Sequence, residues 1–354
     1  MMQTPDLNLD DFLHYYQTAI AEKIVEMQYN LHPEFWKPYG SAGRCLSIRD
    51  AGYHLPFLSE SIAANNPNIF GEYVRWVRKL FRGLNFPDHV MITTLESTRS
   101  VLETYLSGDQ MKTVSRFILS GIQALGSEQE EEKSYILPGN PQYQLAREYH
   151  DHLIRGDKNT ASRLILNAVE NNVPIKEIYL NVFQISQYEV GRRWLASEIT
   201  VAQEHFCSAA TQMIMSQLYP YIFSGDRSGK NMVAASIGGE LHEMGIRMVA
   251  DFFEMDGWNT YYLGANTPMR SILDAAEHNK ASLICLSIAM PYHGRLLKQC
   301  IDEIRDHPQG SNLKILVGGN AVIRRNGDYQ AFGADGFAEN AESAVDLANK
   351  LLNQ

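Results

Sequence analysis

The final stretch of the chain, from residue 230 to residue 354, constrains the fold most. Apolar runs at Met232–Ile237, Thr260–Leu263, Leu283–Ile288 and Ile315–Val317, with a weaker fifth near Gly336, are separated by segments of helical periodicity. Strands divided by helices cannot pair through tight hairpins. They pair in parallel through crossovers that cover both faces of the sheet. The pattern therefore predicts an α/β doubly wound parallel sheet. Ligands of such sheets lie outside the carboxyl ends of the strands. Three segments meet that condition here: Glu240 to Gly245, Ser287 to Met290, and Gly318-Gly319. They are expected to share one rim.

The remainder reads as helical. At 354 residues the chain exceeds one ordinary core, so several domains are expected. Residues 1–125 read as an all-α N-terminal domain. It carries an amphipathic helix over 8–28, short segments broken at Pro33, Pro38, Pro56, Pro67 and Pro87, and helical periodicity over Glu72–Leu84 and Val90–Leu106. Residues 126–142 combine an acidic run with Pro138-Gly-Asn-Pro141 and read as a linker. Residues 143–225 read as a four-helix unit, with Asp157 or Asn159 opening its second helix. Thr200 and Gln203 are spaced as a capping box for the helix that follows a turn at Ala196–Ile199. Residues 230–354 form the sheet domain.

Charge and cysteine usage bound the function. The net charge of −10 argues against a nucleic-acid partner, which would need a basic footprint. No apolar run reaches the length of a membrane span, and Asp6, Asp10 and Asp11 break any signal-peptide pattern, so no membrane partner is expected. Cys45, Cys207, Cys285 and Cys300 show no CxxC spacing, which fits a reducing cytoplasm.

Two patterns carry chemistry. In Glu240-Leu241-His242-Glu243-Met244-Gly245 an imidazole stands at a strand-to-helix loop, two residues from a carboxylate. A carboxylate on the far ring nitrogen is the usual device for orienting a metal-ligating histidine. Gly238-Gly239-Glu240 lacks the G-x-G-x-x-G spacing of a dinucleotide loop. The second pattern is Trp194, nine residues, then Glu204-His205 on the preceding helices. In the N-terminal domain, Arg75, Arg78 and Arg82 fall on one helix face near His54, which reads either as a solvated basic face or as a pocket for an anionic tetrapyrrole.

The order E-x-H-x-x-G, 41 residues, S-x-A, 28 residues, G-G resembles the cobalamin-binding signature D-x-H-x-x-G…S-x-L…G-G. Methionine synthase, corrinoid methyltransferase subunits, base-off mutases and cobalamin photoreceptors share that signature. Glu240 stands in place of Asp, and Ala289 in place of the larger apolar residue. The resemblance implies that His242 is the lower axial ligand to cobalt, that Glu240 and Gly245 complete its motif, and that Ser287 hydrogen-bonds the displaced benzimidazole. It also implies that Gly318 and Gly319 leave room for the nucleotide tail.

Trp194-x9-Glu204-His205 resembles the adenosyl-capping motif of the cobalamin-dependent light-responsive repressors. In those, tryptophan and glutamate contact the adenosyl group and the histidine supports the site. Leu195 stands where they have histidine, which removes a bis-histidine light state formed from that position. The arrangement of an all-α region ahead of these modules is similar to the photocobilins, which pair cobalamin with a bilin. That resemblance implies adenosylcobalamin photolysis as a switch of conformation or oligomeric state, with biliverdin held near His54, Arg75 and Arg78. It further implies a homo-oligomer, a downstream effector protein and no catalytic residues of the chain's own. His205, His293 and water stand open as the ligand after illumination. The alternatives are a methyl-corrinoid carrier of a methyltransferase system and a tetrapyrrole-binding adaptor without photochemistry.

Overall fold

The computed structural model describes residues 8–126, 133–223, 227–308 and 310–352. Asp6 and the acidic run at 128–132 lie outside them. The described residues form two compact units, one running to residue 126 and the other taking in residues 133–194 and Glu198 onward. No helix among the described residues is long and apolar enough to cross a membrane.

The first unit is built from helices, the longer ones being Gln17–Leu31, Gly40–Ala63, Pro67–Gly83, Asp88–Glu103 and Gly108–Gly126. Pro33 and Pro67 open helices, where a missing N–H costs nothing. Pro56 departs from expectation: it lies inside Gly40–Ala63 instead of breaking it. A proline in a helix strands the carbonyl four residues earlier. That carbonyl belongs to Gly52, and the Gln17 side-chain amide donates to it at 2.9 Å. A neighbouring helix thus supplies the hydrogen bond that Pro56 cannot make.

The second unit begins with helices Tyr143–Ile154 and Lys158–Glu170, the latter capped by Asp157 accepting from the Thr160 amide. Ile175–Ile178 passes through a π-helical turn, Tyr179–Gln184, into Ile185–Leu195. Thr200 and Gln203 form the reciprocal capping box that opens Val201–Gln217.

The sheet then follows the expected alternation. Its strands are β1 (Asn231–Ile237), β2 (Asn259–Thr267), β3 (Leu283–Ser287), β4 (Lys314–Gly318) and β5 (Gly336–Phe337). They lie in the order β2-β1-β3-β4-β5, all parallel. Alternation along each strand serves two cores. Met232, Ala234, Cys285 and Leu316 face helices Met244–Met255 and Ala341–Leu352. Val233, Ile284 and Ile315 face Met269–His278 and Gly294–Asp306. The first of these cores is continuous with that of the preceding helices, through Tyr149, Phe183, Ile214 and Met215. The helical bundle therefore packs on the sheet domain as a cap. The architecture is a helical N-terminal region followed by a parallel-sheet Rossmann-like domain, as the alternation predicts.

Candidate functional site

The chain order places the reversal point of the sheet between β1 and β3, where the following crossovers leave in opposite directions and open a crevice. Register sets the rim: Ser236 pairs with Ser287, and Ser287 with Gly318, so the three strands end in one row. The loop leaving β1 is pinned tightly. Ser236 Oγ donates to the His242 carbonyl at 2.9 Å, the Gly239 amide to Asn266 Oδ1 at 2.7 Å, and the Asn266 amide to the Glu240 carbonyl at 2.8 Å.

Glu240 is fully buried, yet its carboxylate is saturated. Oε1 accepts from the His242 amide at 3.0 Å and from His242 Nδ1 at 2.5 Å. Oε2 accepts from the Ala289 and Met290 amides at 2.8 and 3.0 Å and from His293 Nδ1 at 2.9 Å. Burial alone would raise its pKa, but the hydrogen bonds from His242, His293 and the amides outweigh it and hold the acid below the usual carboxylate range. The contact with Glu240 in turn raises the His242 pKa against desolvation. With Nδ1 donating to Glu240, His242 keeps its lone pair on Nε2. The ring is 63 % exposed, and Nε2 has no hydrogen-bond partner among the described residues.

Beside His242 opens a cleft of about 220 Å³ between the cap and the sheet domain. Its exposed lining residues include Tyr188, His242, Asn320 and Asn340, and its buried ones include Cys285, Leu316, Ala341 and Ala344. Ser287 also lines it, and its hydroxyl makes no hydrogen bond among the described residues. Gly319 has φ +91°, and a Cβ there would run into the Ile288 carbonyl and stand 2.8 Å from Ser287 Oγ. A Cβ at Gly318 would stand 3.2 Å from the Ala338 carbonyl, a tight fit rather than a clash. Gly245 meets nothing within 4 Å and lines the cleft with bare backbone.

Residues 230–346 match the model of a B12 binding domain, and residues 145–219 match a second B12 binding domain model. The module is a cobalamin-binding one. Its residues fit that cofactor: an imidazole with a free Nε2 oriented by a carboxylate, next to a cleft in which Gly319 leaves no room for a side chain. The chain is 25% identical over 215 residues to a corrinoid protein of Desulfitobacterium hafniense, covering 59% of this chain and 98% of the relative. It is 26% identical over 214 residues to a dimethylamine corrinoid protein of Methanosarcina barkeri, with the same coverage. The solved monomethylamine corrinoid protein of Methanosarcina barkeri shares the fold, with a TM-score of 0.53 and 21% identity, over 59% of this chain and 99% of that one.

These relatives correct the expectation of a light sensor. They are corrinoid proteins, and they favour the methyl-corrinoid alternative over adenosylcobalamin photolysis. They also accord with a chain that is not itself an enzyme.

The biliverdin expectation finds no support in the helical unit. His54 is buried, its Nδ1 2.7 Å from the Tyr73 hydroxyl, and burial lowers its pKa to about 4. Arg78 donates to the Leu125 carbonyl and, with Arg82, binds Asp88. Two of the three arginines expected to hold propionates are therefore engaged internally. Arg75 lies one turn before Arg78 on the same helix, and Cys45 is exposed.

The cobalamin-binding module brings together most of the remaining expected residues. Trp194 is half-buried against the core of the cap. Glu204 accepts from Ser208 Oγ at 2.9 Å and pairs with Nδ1 of the largely exposed His205 at 2.5 Å, and its charge adds to the upward shift of His242. His293, left open as a ligand, is tied to Glu240 instead.

Two features escaped the sequence. The amides of Ala289 and Met290 bind Glu240 from a loop about fifty positions away, and backbone donors leave no mark in residue identity. Glu243 accepts from Gln212 Nε2 at 3.3 Å on the cap, and from the Tyr262 hydroxyl and the Ala265 amide, each at 3.0 Å. Its adjacency to His242 was the available signal.

Proposed function

We propose that the chain is a methyl-corrinoid carrier of a methyltransferase system. The observation that carries this reading is the exposed His242 imidazole fixed by the fully buried Glu240 at the edge of the cleft. The corrinoid relatives point the same way.

In this reading His242 Nε2 would ligate the cobalt. Glu240 selects the tautomer by accepting the Nδ1 proton, and it fixes the ring plane through its second bond to the His242 amide. The Ala289 and Met290 amides and His293 keep that carboxylate from turning. Ser287 would meet the base of the nucleotide tail, and Gly245, Gly318 and Gly319 would leave that tail room. Trp194, Glu204 and His205 belong to the cap and would help to exclude water from the bound cofactor. Bound cobalamin supplies a cobalt centre able to accept a methyl group from one protein and release it to another. The partner is accordingly a methyltransferase protein, with cobalamin as resident cofactor.

The test is to load the protein with methylcobalamin and offer a thiol acceptor together with a corrinoid:thiol methyltransferase. Loss of the methylcobalamin spectrum with one equivalent of methylated thiol is expected. Retention of cobalamin with no methyl passed to the acceptor overturns the carrier reading.

A further inference from the structure

The cleft beside His242 has an uneven chemistry. Its buried wall is apolar: Cys285 and Leu316, paired across β3 and β4, face Ile246, Met248 and the Cβ atoms of Ala341 and Ala344. The Cys285 thiol is protonated, its pKa raised by burial. Polar lining residues such as Tyr188, Asn320 and Asn340 are exposed. Thiol aside, Ser287 is the one buried polar side chain among the described lining residues, and its hydroxyl lacks a partner there. The buried side-chain atoms without a hydrogen bond, in Arg78, Ser97, Arg247 and His307, line no part of this cleft. The buried side chains of the wall thus offer one hydroxyl and one thiol and otherwise hydrocarbon.

We infer that this cleft discriminates corrinoids by the base of the nucleotide tail, taking a benzimidazole and rejecting a purine. The inference rests on the proposed reading that the tail enters the cleft. A benzimidazole joined to its sugar through one ring nitrogen keeps a single further acceptor, which one hydroxyl satisfies. An adenine keeps three ring nitrogens and an amino group; the hydroxyl answers one of them, and the other three groups would lose water against Leu316, Ala341 and Ala344 with nothing in return. Unpaired polar groups in an apolar pocket are strongly disfavoured. Hydrocarbon substituents on the benzimidazole gain from the same surfaces.

The experiment measures binding of three ligands to the apoprotein by equilibrium dialysis: cobalamin, its adenine-containing counterpart, and cobinamide, which has no nucleotide. Cobalamin is expected to bind at least about tenfold more tightly than the adenine form, the scale set by one unmatched polar group. Cys285→Ser, which places a hydroxyl in the wall, is expected to narrow that ratio. Each ratio compares two ligands on one protein, so partial misfolding of the variant cancels. Equal affinity for the two bases, with cobinamide much weaker, overturns the inference and leaves the tail in the cleft. Cobinamide binding as tightly as cobalamin overturns the placement of the tail itself.

Discussion

At the scale of single residues, Glu240 decides most. Its carboxylate accepts five hydrogen bonds from two loops and two imidazoles, so an amide in its place would turn an NH₂ group toward a donor. Glu240→Gln is expected to cost about 2 kcal/mol of stability and to remove the histidine-ligated signature from the absorption spectrum of bound cobalamin. His242→Ala should remove the signature with little loss of stability, because that ring is exposed. The same carboxylate fixes a pH dependence. Its folded pKa lies below its unfolded value, so its contribution is fully present above the ordinary glutamate pKa of about 4.3. It is lost as the pH falls through the folded value. Denaturation followed from pH 6 downward should show wild type losing stability and Glu240→Gln, already weaker, losing less. Gly319 offers a second check. Gly319→Ala forces a side chain to φ +91° and into the Ile288 carbonyl, which should cost about 1–3 kcal/mol and weaken cobalamin binding in a dialysis assay.

At the scale of elements, the helix Gly40–Ala63 and the sheet carry opposite lessons about legibility. The sheet was readable because each apolar run needed a face on either side, and the alternation of runs with helices left one architecture. The site motif was readable for the same reason: strand ends are where loops must stand, and Glu240, His242 and Gly319 follow strands while Ser287 closes one. Pro56 was misread because the remedy for a helical proline comes from a distant residue. Gln17 sits in a different helix, and nothing local announces that it answers the Gly52 carbonyl. Gln17→Leu should leave that carbonyl unsatisfied and destabilise the N-terminal unit by about 1–3 kcal/mol, seen as a lower melting temperature of helical circular dichroism. The basic face of Pro67–Gly83 misled differently. Helical spacing shows that Arg75, Arg78 and Arg82 share a side but says nothing of Asp88, which comes from the next helix to occupy two of them.

At the scale of the whole molecule, the cap is joined to the sheet domain by polar contacts as well as apolar ones. Arg247 donates to Gln212, Ser216 and Tyr219, and the Tyr179 hydroxyl donates to Asp251 at 2.8 Å. Burial pushes the Asp251 pKa up to about 6, against the pull of Tyr179 and Arg247. A carboxyl raised on folding stabilises most when protonated. Its contribution is present below the unfolded value and is lost as the pH rises through about 6. A shift of that size corresponds to roughly 3 kcal/mol. Chemical denaturation at pH 4.5 and pH 7.5 should therefore show about 2 kcal/mol of this loss in wild type and a flatter profile in Asp251→Asn.

The hydrogen bonds from Ala289 and Met290 to Glu240 have a kinetic consequence. They join positions 49 and 50 residues apart, across two helices, β2 and β3. Contacts of such sequence separation form late, once intervening loops have closed. A nascent chain that has made β1 therefore possesses His242 but not its anchored form, so in the proposed reading the histidine would be ready for its cofactor only once β3 has joined the sheet. Amide exchange at Ala289 and Met290 should be as slow as that of the central strands, because those protons are released only when the sheet itself opens.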